Sequence, residues 1–526
     1  MPLNFVSGDD PGQGYLLPPD VRDWLPPGHL AWALRDLAAQ LDLSAFTSWY
    51  RADGQGRPAY HPAMMVTLVC YCFCKGVRSS RAVEAATYDD LGARVICGNL
   101  HPDHSTVHRF LARHEEPVKG LLAQSVVACA RQGLVAVDVV AGDGTKVRAS
   151  ASAAANRTLE QLDLEIAELE QAAAAEVAAW LEQAAAADAA DGLGDGDDGP
   201  PPGSGPGPSG RAAATLARRR GARARLAAAE AGRAGQAEAE QAAKITRLQA
   251  RAERAAAAAQ AAARDADAKA AAWQARAAAK AAAGSRKRPD GRRPVPAARS
   301  ARVRKARQAA AKAASALERA LAAPLQAGKP LKINTTDPSS AMMQAKNGGF
   351  GQQHNIQVLA CKSQVILGIG RHLSPADVAA MHPLLAGGRA TLDAARISDR
   401  IGAALFDAGY ASDANFTTPS EARLYVSVTK EARQTGRLRD GKHPATSKAS
   451  RARMAAKLAT PEGKALYRQR SAIIEPVFAQ LFARLGRHLN YRDHRADLEL
   501  HLWAATHNFL KAARATQTTP PAPLAT

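Results

Sequence analysis

A chain of 526 residues with 46% hydrophobic content has room for roughly two to four domains and at least one buried core, which excludes a wholly disordered protein. Lys and Arg outnumber Asp and Glu by 69 to 49, a formal charge of +20, and this balance favours a polyanionic partner such as nucleic acid. The opening MPLNFVSGDDPGQGY has no basic stretch leading into an apolar one, and no uninterrupted apolar run reaches membrane-spanning length, so a cytosolic location is expected.

Residues 1–130 read as an all-α N-terminal domain. Pro62 to Lys75 is an apolar run closed by Gly76, Ser79 to Tyr88 is a second short helix, and Pro102-Asp103-His104 offers a start signal for a helix over Ser105 to His114. That order fits a helix-turn-helix-like DNA-binding module, with His108, Arg109 and Arg113 on the DNA-facing helix. His101, His104, His108 and His114 do not make a zinc site, since only His104 and His108 fall one turn apart and no Cys pair accompanies them. Cys70, Cys72, Cys74, Cys97, Cys129 and Cys361 lack a paired CxxC framework and read as reduced, buried small hydrophobes.

From 131 to 156 the chain reads as the first part of an α/β domain. Leu134 to Val140 is an apolar, β-branched run that predicts a strand, followed by Gly142-Asp143-Gly144-Thr145-Lys146. Residues 157–326 then turn to Ala, Arg, Glu and Gln. Leu159, Leu162, Ile166, Leu169, Ala173, Val177 and Trp180 share one helix stripe, and a second arm over about 211–283 is mostly Ala. An inserted antiparallel helical hairpin of coiled-coil type is expected, with disordered linkers at 191–210 and 284–300. Ser285 to Arg307 holds ten Lys or Arg residues broken by Pro289, Pro294 and Pro296, a solvated basic segment or a phosphate-backbone contact.

Residues 327–514 read as the remainder of the α/β domain, before a disordered tail at 515–526. His354 to Cys361 and Gln364 to Gly370 predict two strands joined at Lys362-Ser363, and Ala403 to Phe406 a short buried strand ending in Asp407-Ala-Gly-Tyr410. Leu424 to Val428 is another strand, and Lys464 to Leu485 and Leu498 to Arg514 are helices.

Asp143 and Asp407 each follow an apolar strand, and carboxyl ends of strands are where open α/β sheets bind ligands. Glu475 stands in Ser-Ala-Ile-Ile-Glu-Pro-Val-Phe, where Pro476 requires a helix start or kink. Three such carboxylates suit two Mg²⁺ ions, which take oxygen ligands and leave positions open for water and phosphate. Spacing alone leaves bland readings open: a turn residue for Asp143, an N-cap for Asp407, a first-turn dipole partner for Glu475. Asp138, placed inside the strand, is a rival to Asp143, and Asp337 and Asp377 read as supporting groups or caps.

At these residues the sequence resembles the DDE transposases of bacterial insertion sequences, in the group with a helical N-terminal domain and a long insertion between the first two aspartates. The matching segments are PDHSTVHRFLARH, GDGTKVRASAS, DPSSAMMQAKNGGFGQQHNIQV, FDAGYAS, YRQRSAIIEPVFAQL and HNFLKA, in the family's order. The resemblance implies an RNase H-like catalytic domain interrupted by the helical insertion and Asp143, Asp407 and Glu475 as catalytic and metal-binding residues. It implies two Mg²⁺ ions, with Mn²⁺ able to substitute, and element terminal repeats and target DNA as partners. Lys146, Tyr467 and Arg470 match its DNA-contacting positions. Where the family has a Lys seven residues after the Glu, this chain has Phe482, so Arg484 or Arg487 would stand in; after Asp337 it has Pro338-Ser339-Ser340-Ala341 in place of a further acid and base. The implied activity is metal-dependent cleavage at element ends and strand transfer, by a homodimer or larger assembly associated with the bacterial nucleoid. The alternatives are a catalytically inactive DNA-binding remnant and an RNase H-like nuclease without strand transfer.

Overall fold

The structure is a computed structural model that describes residues 23–50, 59–191, 210–283, 289, 291–324, 329–345, 348–428 and 449–518. The expected linker at 191–210 and the tail at 515–526 fall largely outside them, as do residues 284–288 and 290 of the basic segment. By its contacts the chain divides into two compact units, residues 1–156 with 334–526, and residues 157–333.

The first unit is mixed α/β. Its sheet contains β1 (Val139–Arg148), β2 (Ala341–Gln344), β3 (Phe350–Cys361), β4 (Ile366–His372), β5 (Ala403–Phe406) and β6 (Arg423–Val426). The order is β2-β3-β1-β5-β6, with β4 also on β3; β3 runs antiparallel to β1, β2 and β4, while β5 runs parallel to β1 and to β6. Every residue of β5 is buried, which is why its sequence is a continuous apolar run rather than an alternation.

Strand β1 departs from expectation. It begins at Val139 and runs to Arg148, so Asp143 lies inside the strand and Asp138 just before it, paired with Lys362. Gly142 and Gly144 are not turn residues. A Cβ at Gly142 would collide with the Phe406 ring, and one at Gly144 with Gln357 Nε2, standing 2.6 Å from Asp377 Oδ1. Close approach, not backbone freedom, requires glycine there.

The N-terminal helices are α1 (Leu30–Ala38), α2 (Ser44–Thr47), α3 (Pro62–Cys74), α4 (Ser80–Asp89), α5 (Leu91–Cys97), α6 (His104–Arg113) and α7 (Glu115–Arg131). Later come α11 (Met381–Ala394), α12 (Asp413–Thr417), α13 (Ala449–Ala459), α14 (Pro461–Tyr467), α15 (Gln469–Leu485) and α16 (Arg495–Thr518). These N-terminal helices belong to the same compact unit as the sheet instead of forming a body ending at 130. Helix α16 is the reason: it packs against α1, α3, α7 and β4. Buried Asn508 accepts from Ile366 N at 2.8 Å and donates to Ile366 O at 2.9 Å and Ser125 Oγ at 3.1 Å, tying β4 to α7. All six cysteines are free and buried within this packing.

One start signal holds in detail, and the proline expected to begin or kink a helix lies inside one. Asp103 caps α6 by accepting from Thr106 N at 2.7 Å, and hydrogen bonds, that of Ser105 foremost, pull its carboxyl down to about 2. Pro476 sits inside α15, where it removes the N–H that would reach Ala472 O; Gln364 Nε2 donates to that carbonyl instead, at 3.4 Å. The predicted helix over Lys464 to Leu485 is divided into α14 and α15.

The second unit has three long helices where two arms were expected: α8 (Leu159–Asp191), α9 (Gly210–Ala282) and α10 (Ala301–Ala322). The predicted stripe packs only near its start, where Leu162 and Ile166 are buried, while Val177 is exposed. Leu162 joins Ala222, Leu226 and Ile333 in a small core, and Arg220–Glu170 and Arg223–Asp163 bridge α8 to α9. Helix α10 starts inside the basic segment, capped by Ser300, and lies along α9. No described helix is long and apolar enough to cross a membrane.

Candidate functional site

Val139, Val140 and Ala141 of β1 pair in parallel with Ala403, Ala404 and Leu405 of β5. Carried forward, that register sets Asp143 level with Asp407, and level residues on parallel strands face the same way. Asp143 Oδ1 accepts from Gly144 N at 2.8 Å, and its side chain keeps 25% of its surface open. Asp407 also caps a short 3₁₀ turn, accepting from Gly409 N at 2.8 Å, so its capping and ligand-facing readings are compatible. Burial and then the Asp407 charge push Asp143 up to about 6, against the pull of Arg470 and the Gly144 N–H.

Arg470, buried at the start of α15, brings Nη1 to 3.5 Å from Asp143 Oδ2. Glu475 lies five residues on, roughly 140° around the helix from Arg470, and is exposed. The charges that move Asp143 are those of Asp407, Arg470 and Asp377.

Asp377 is the neighbour of the pair that sequence reasoning undervalued. Its Oδ1 accepts from Asn355 Nδ2 and Gln357 Nε2, each at 2.8 Å, and Tyr410 donates its hydroxyl to Gln357 Oε1. Asp377 Oδ2 and Asp407 Oδ1 lie beside Gly409, within 3.2 Å and 2.9 Å of where a Cβ would stand. The signal was the amide pair at 355 and 357, alternate positions on a strand interior where buried polar groups need partners. Asp337 is structural: buried, it accepts from His354 Nε2 at 2.9 Å and Asp493 N at 3.0 Å. Burial pushes its carboxyl up, but these bonds hold it below the ordinary value.

The other predicted residues scatter. His108, Arg109 and Arg113 are all exposed on α6, whose Val107, Phe110 and Leu111 are buried; His108 Nε2 meets Arg495 Nη1 at 3.0 Å. His101 stacks on Tyr88 with centroids 3.9 Å apart, His104 meets Glu84 at 2.8 Å, and His114 is buried among Phe46, Tyr50 and Phe110. Tyr467 ends α14, half-buried against the core. Arg484 turns inward: burial lowers its pKa, and the groups that face it are Cys74 and Arg514, not the aspartates.

Lys146 is three residues from Asp143, so the strand's alternation points it to the opposite face, where it lines a groove of about 1240 Å³ with Arg148, Arg487, His488 and Arg492. No carboxylate lines this groove among the described residues. Its wall is fixed by backbone bonds, Arg148 N to Arg487 O at 3.0 Å and Leu489 N to Arg148 O at 2.9 Å.

Two carboxylates side by side, with the proton affinity of Asp143 raised by burial and then by the Asp407 charge, suit a hard cation with oxygen ligands. Among the described residues no group of three or more His, Cys, Asp or Glu side chains is arranged to hold a metal ion.

Residues 19–113 match the family described as Transposase domain (DUF772), which supports a transposase family and suggests a transposition-related function. The match covers α1 to α6 and ends before the aspartates. No curated protein and no solved structure matches the chain.

Proposed function

We propose that this chain is a DDE transposase, cleaving DNA at the ends of its own element and joining the freed 3′ ends to target DNA. The observation that carries the reading is Asp143 level with Asp407 on adjacent parallel strands, its proton affinity raised by burial and then by that neighbour. The strand order, antiparallel on one side of β1 and parallel on the other, supports an RNase H-like catalytic domain, and the transposase-domain match supports the biological setting.

Asp143 and Asp407 would hold Mg²⁺, or Mn²⁺ in its place, with Glu475 as the third carboxylate that the resemblance implies. The bound ions supply a Lewis acid at the scissile phosphate and an oxygen nucleophile available at neutral pH. Arg470 sets the orientation of Asp143 and limits the negative charge there. Gly409 N–H and the 3₁₀ turn orient Asp407, while Asn355 and Gln357 fix Asp377 beside it. Exposed His108, Arg109 and Arg113 would contact DNA phosphates from α6, and Lys146 from the groove.

Glu475 is exposed, and among the described residues no three carboxylates are arranged to hold a metal ion; this favours a second reading, a DNA-binding remnant without catalysis. The deciding experiment follows Mg²⁺-dependent nicking and strand transfer on a labelled element-end fragment, wild type against Asp407→Asn. Both products should form and both vanish in the variant. Nicking without joining would select a plain nuclease, and binding without nicking in wild type would select the remnant.

A further inference from the structure

The groove at Lys146 is larger than an ordinary ligand pocket. At about 1240 Å³ it exceeds the roughly 300–1,000 Å³ of such pockets, and Lys146, Arg148, Arg487 and Arg492 supply four cations with no acid among its described lining. Ser150, Ser152 and Asn490 add neutral polar side chains to the lining.

One lining residue does not belong on an ordinary basic surface. Phe350, at the start of β3, is 71% exposed, the most exposed large hydrophobic side chain among the described residues. Burying it on a partner is favourable, and an aromatic face beside guanidinium groups is the pairing that holds an unpaired base between phosphate contacts. A paired base inside a duplex is stacked on both faces and offers one to a side chain only at the cost of unstacking, roughly a few kcal/mol per step.

Part of the wall is tied by hydrogen bonds. Arg492 Nε donates to Ser150 O at 2.6 Å, joining two lining residues. Behind the loop, buried Glu499 accepts from Asn490 N and Tyr491 N, both at 2.8 Å, and Arg78 holds Glu499 and His488 O at the same distance.

From this geometry we infer that the groove between Lys146 and Arg492 binds single-stranded DNA, with Phe350 stacking on an unpaired base and Arg148 and Arg487 on the flanking phosphates. The inference rests on the transposase reading for the choice of DNA. It gives that reading a place for an unpaired strand roughly 10 Å along β1 from Asp143, on the opposite face of the strand.

The test is fluorescence anisotropy of a labelled short oligothymidine in EDTA, so that metal and catalysis play no part. Phe350→Ala, at an exposed position, should fold and bind roughly tenfold more weakly, while Phe350→Trp keeps wild-type affinity. Arg487→Gln should reduce the slope of log affinity against log salt by roughly 0.7. Absence of wild-type binding, unchanged affinity in Phe350→Ala, equal affinity for duplex, or tighter binding of oligouridine overturns the inference. Loss of binding in Phe350→Ala from a wild type that never nicks element ends would keep the groove and remove the transposase reading; nicking with unaltered Phe350→Ala binding would do the reverse.

Discussion

Asp143 carries an energetic cost that its neighbours do not remove. Its pKa, raised to about 6 from an ordinary 3.8 by burial and Asp407, means that the folded protein binds a proton more tightly than the unfolded chain. Stability from this residue is therefore greatest at low pH and is lost as pH rises from about 4 to about 6. Asp143→Asn, measured by urea unfolding in EDTA, should stabilise the protein by roughly 3 kcal/mol above pH 6, with the advantage fading below pH 5. A pH-independent difference would mean that the carboxylate is not strained. The carboxylate pair itself was legible from two apolar runs each followed by an Asp. Asp377 was not, because its importance lies in Asn355 and Gln357 on a distant strand.

Among the elements, β1 and the loop between α15 and α16 do the positioning. Glycines flanking Asp143 read as a turn, yet they let β1 pass beneath the Phe406 ring and beside Asp377. Gly142→Ala should overpack that contact and destabilise by roughly 1–3 kcal/mol in the same assay, and an unchanged midpoint would show that Phe406 can move aside. The loop is held from behind by Glu499, paired with Arg78 where both side chains are almost fully buried. Glu499→Ala leaves that guanidinium without its carboxylate and the Asn490 and Tyr491 N–H groups without an acceptor. A loss of about 3–5 kcal/mol is expected; a loss under 1 kcal/mol would show that water replaces the carboxylate. Helix α15 shows the limit of pattern reading. Its segment predicted a helix, but the rotation that sends Arg470 inward leaves Glu475 exposed, and packing against β1 and β3 sets that rotation.

For the whole molecule, the long insertion is a separable body by its contacts. Where the first unit's chain is interrupted, its ends meet: Asn334 Nδ2 donates to Asn156 Oδ1 at 2.9 Å and Thr335 N to Ala155 O at 3.0 Å. Replacing residues 157–333 with a short Gly/Ser linker should leave a cooperatively unfolding protein, since a shorter closed loop costs less entropy. A broad, uncooperative melt seen by circular dichroism would show that the first unit needs the insertion to fold.

What the sequence determined alone was what depends on neighbours along the chain. The apolar strand Ala403–Phe406, the Asp103 cap, the insertion's helical composition and the basic balance are all local or compositional, and each was legible without coordinates. Only the tertiary structure decided which of these residues meet. Level placement of Asp143 with Asp407 depends on strand register across an insertion of more than a hundred residues. The groove joins positions near 148 to positions near 490, and the N-terminal helices share one unit with the sheet because α16 packs on both. Burial and register act between segments far apart in sequence, and local periodicity carries no record of them.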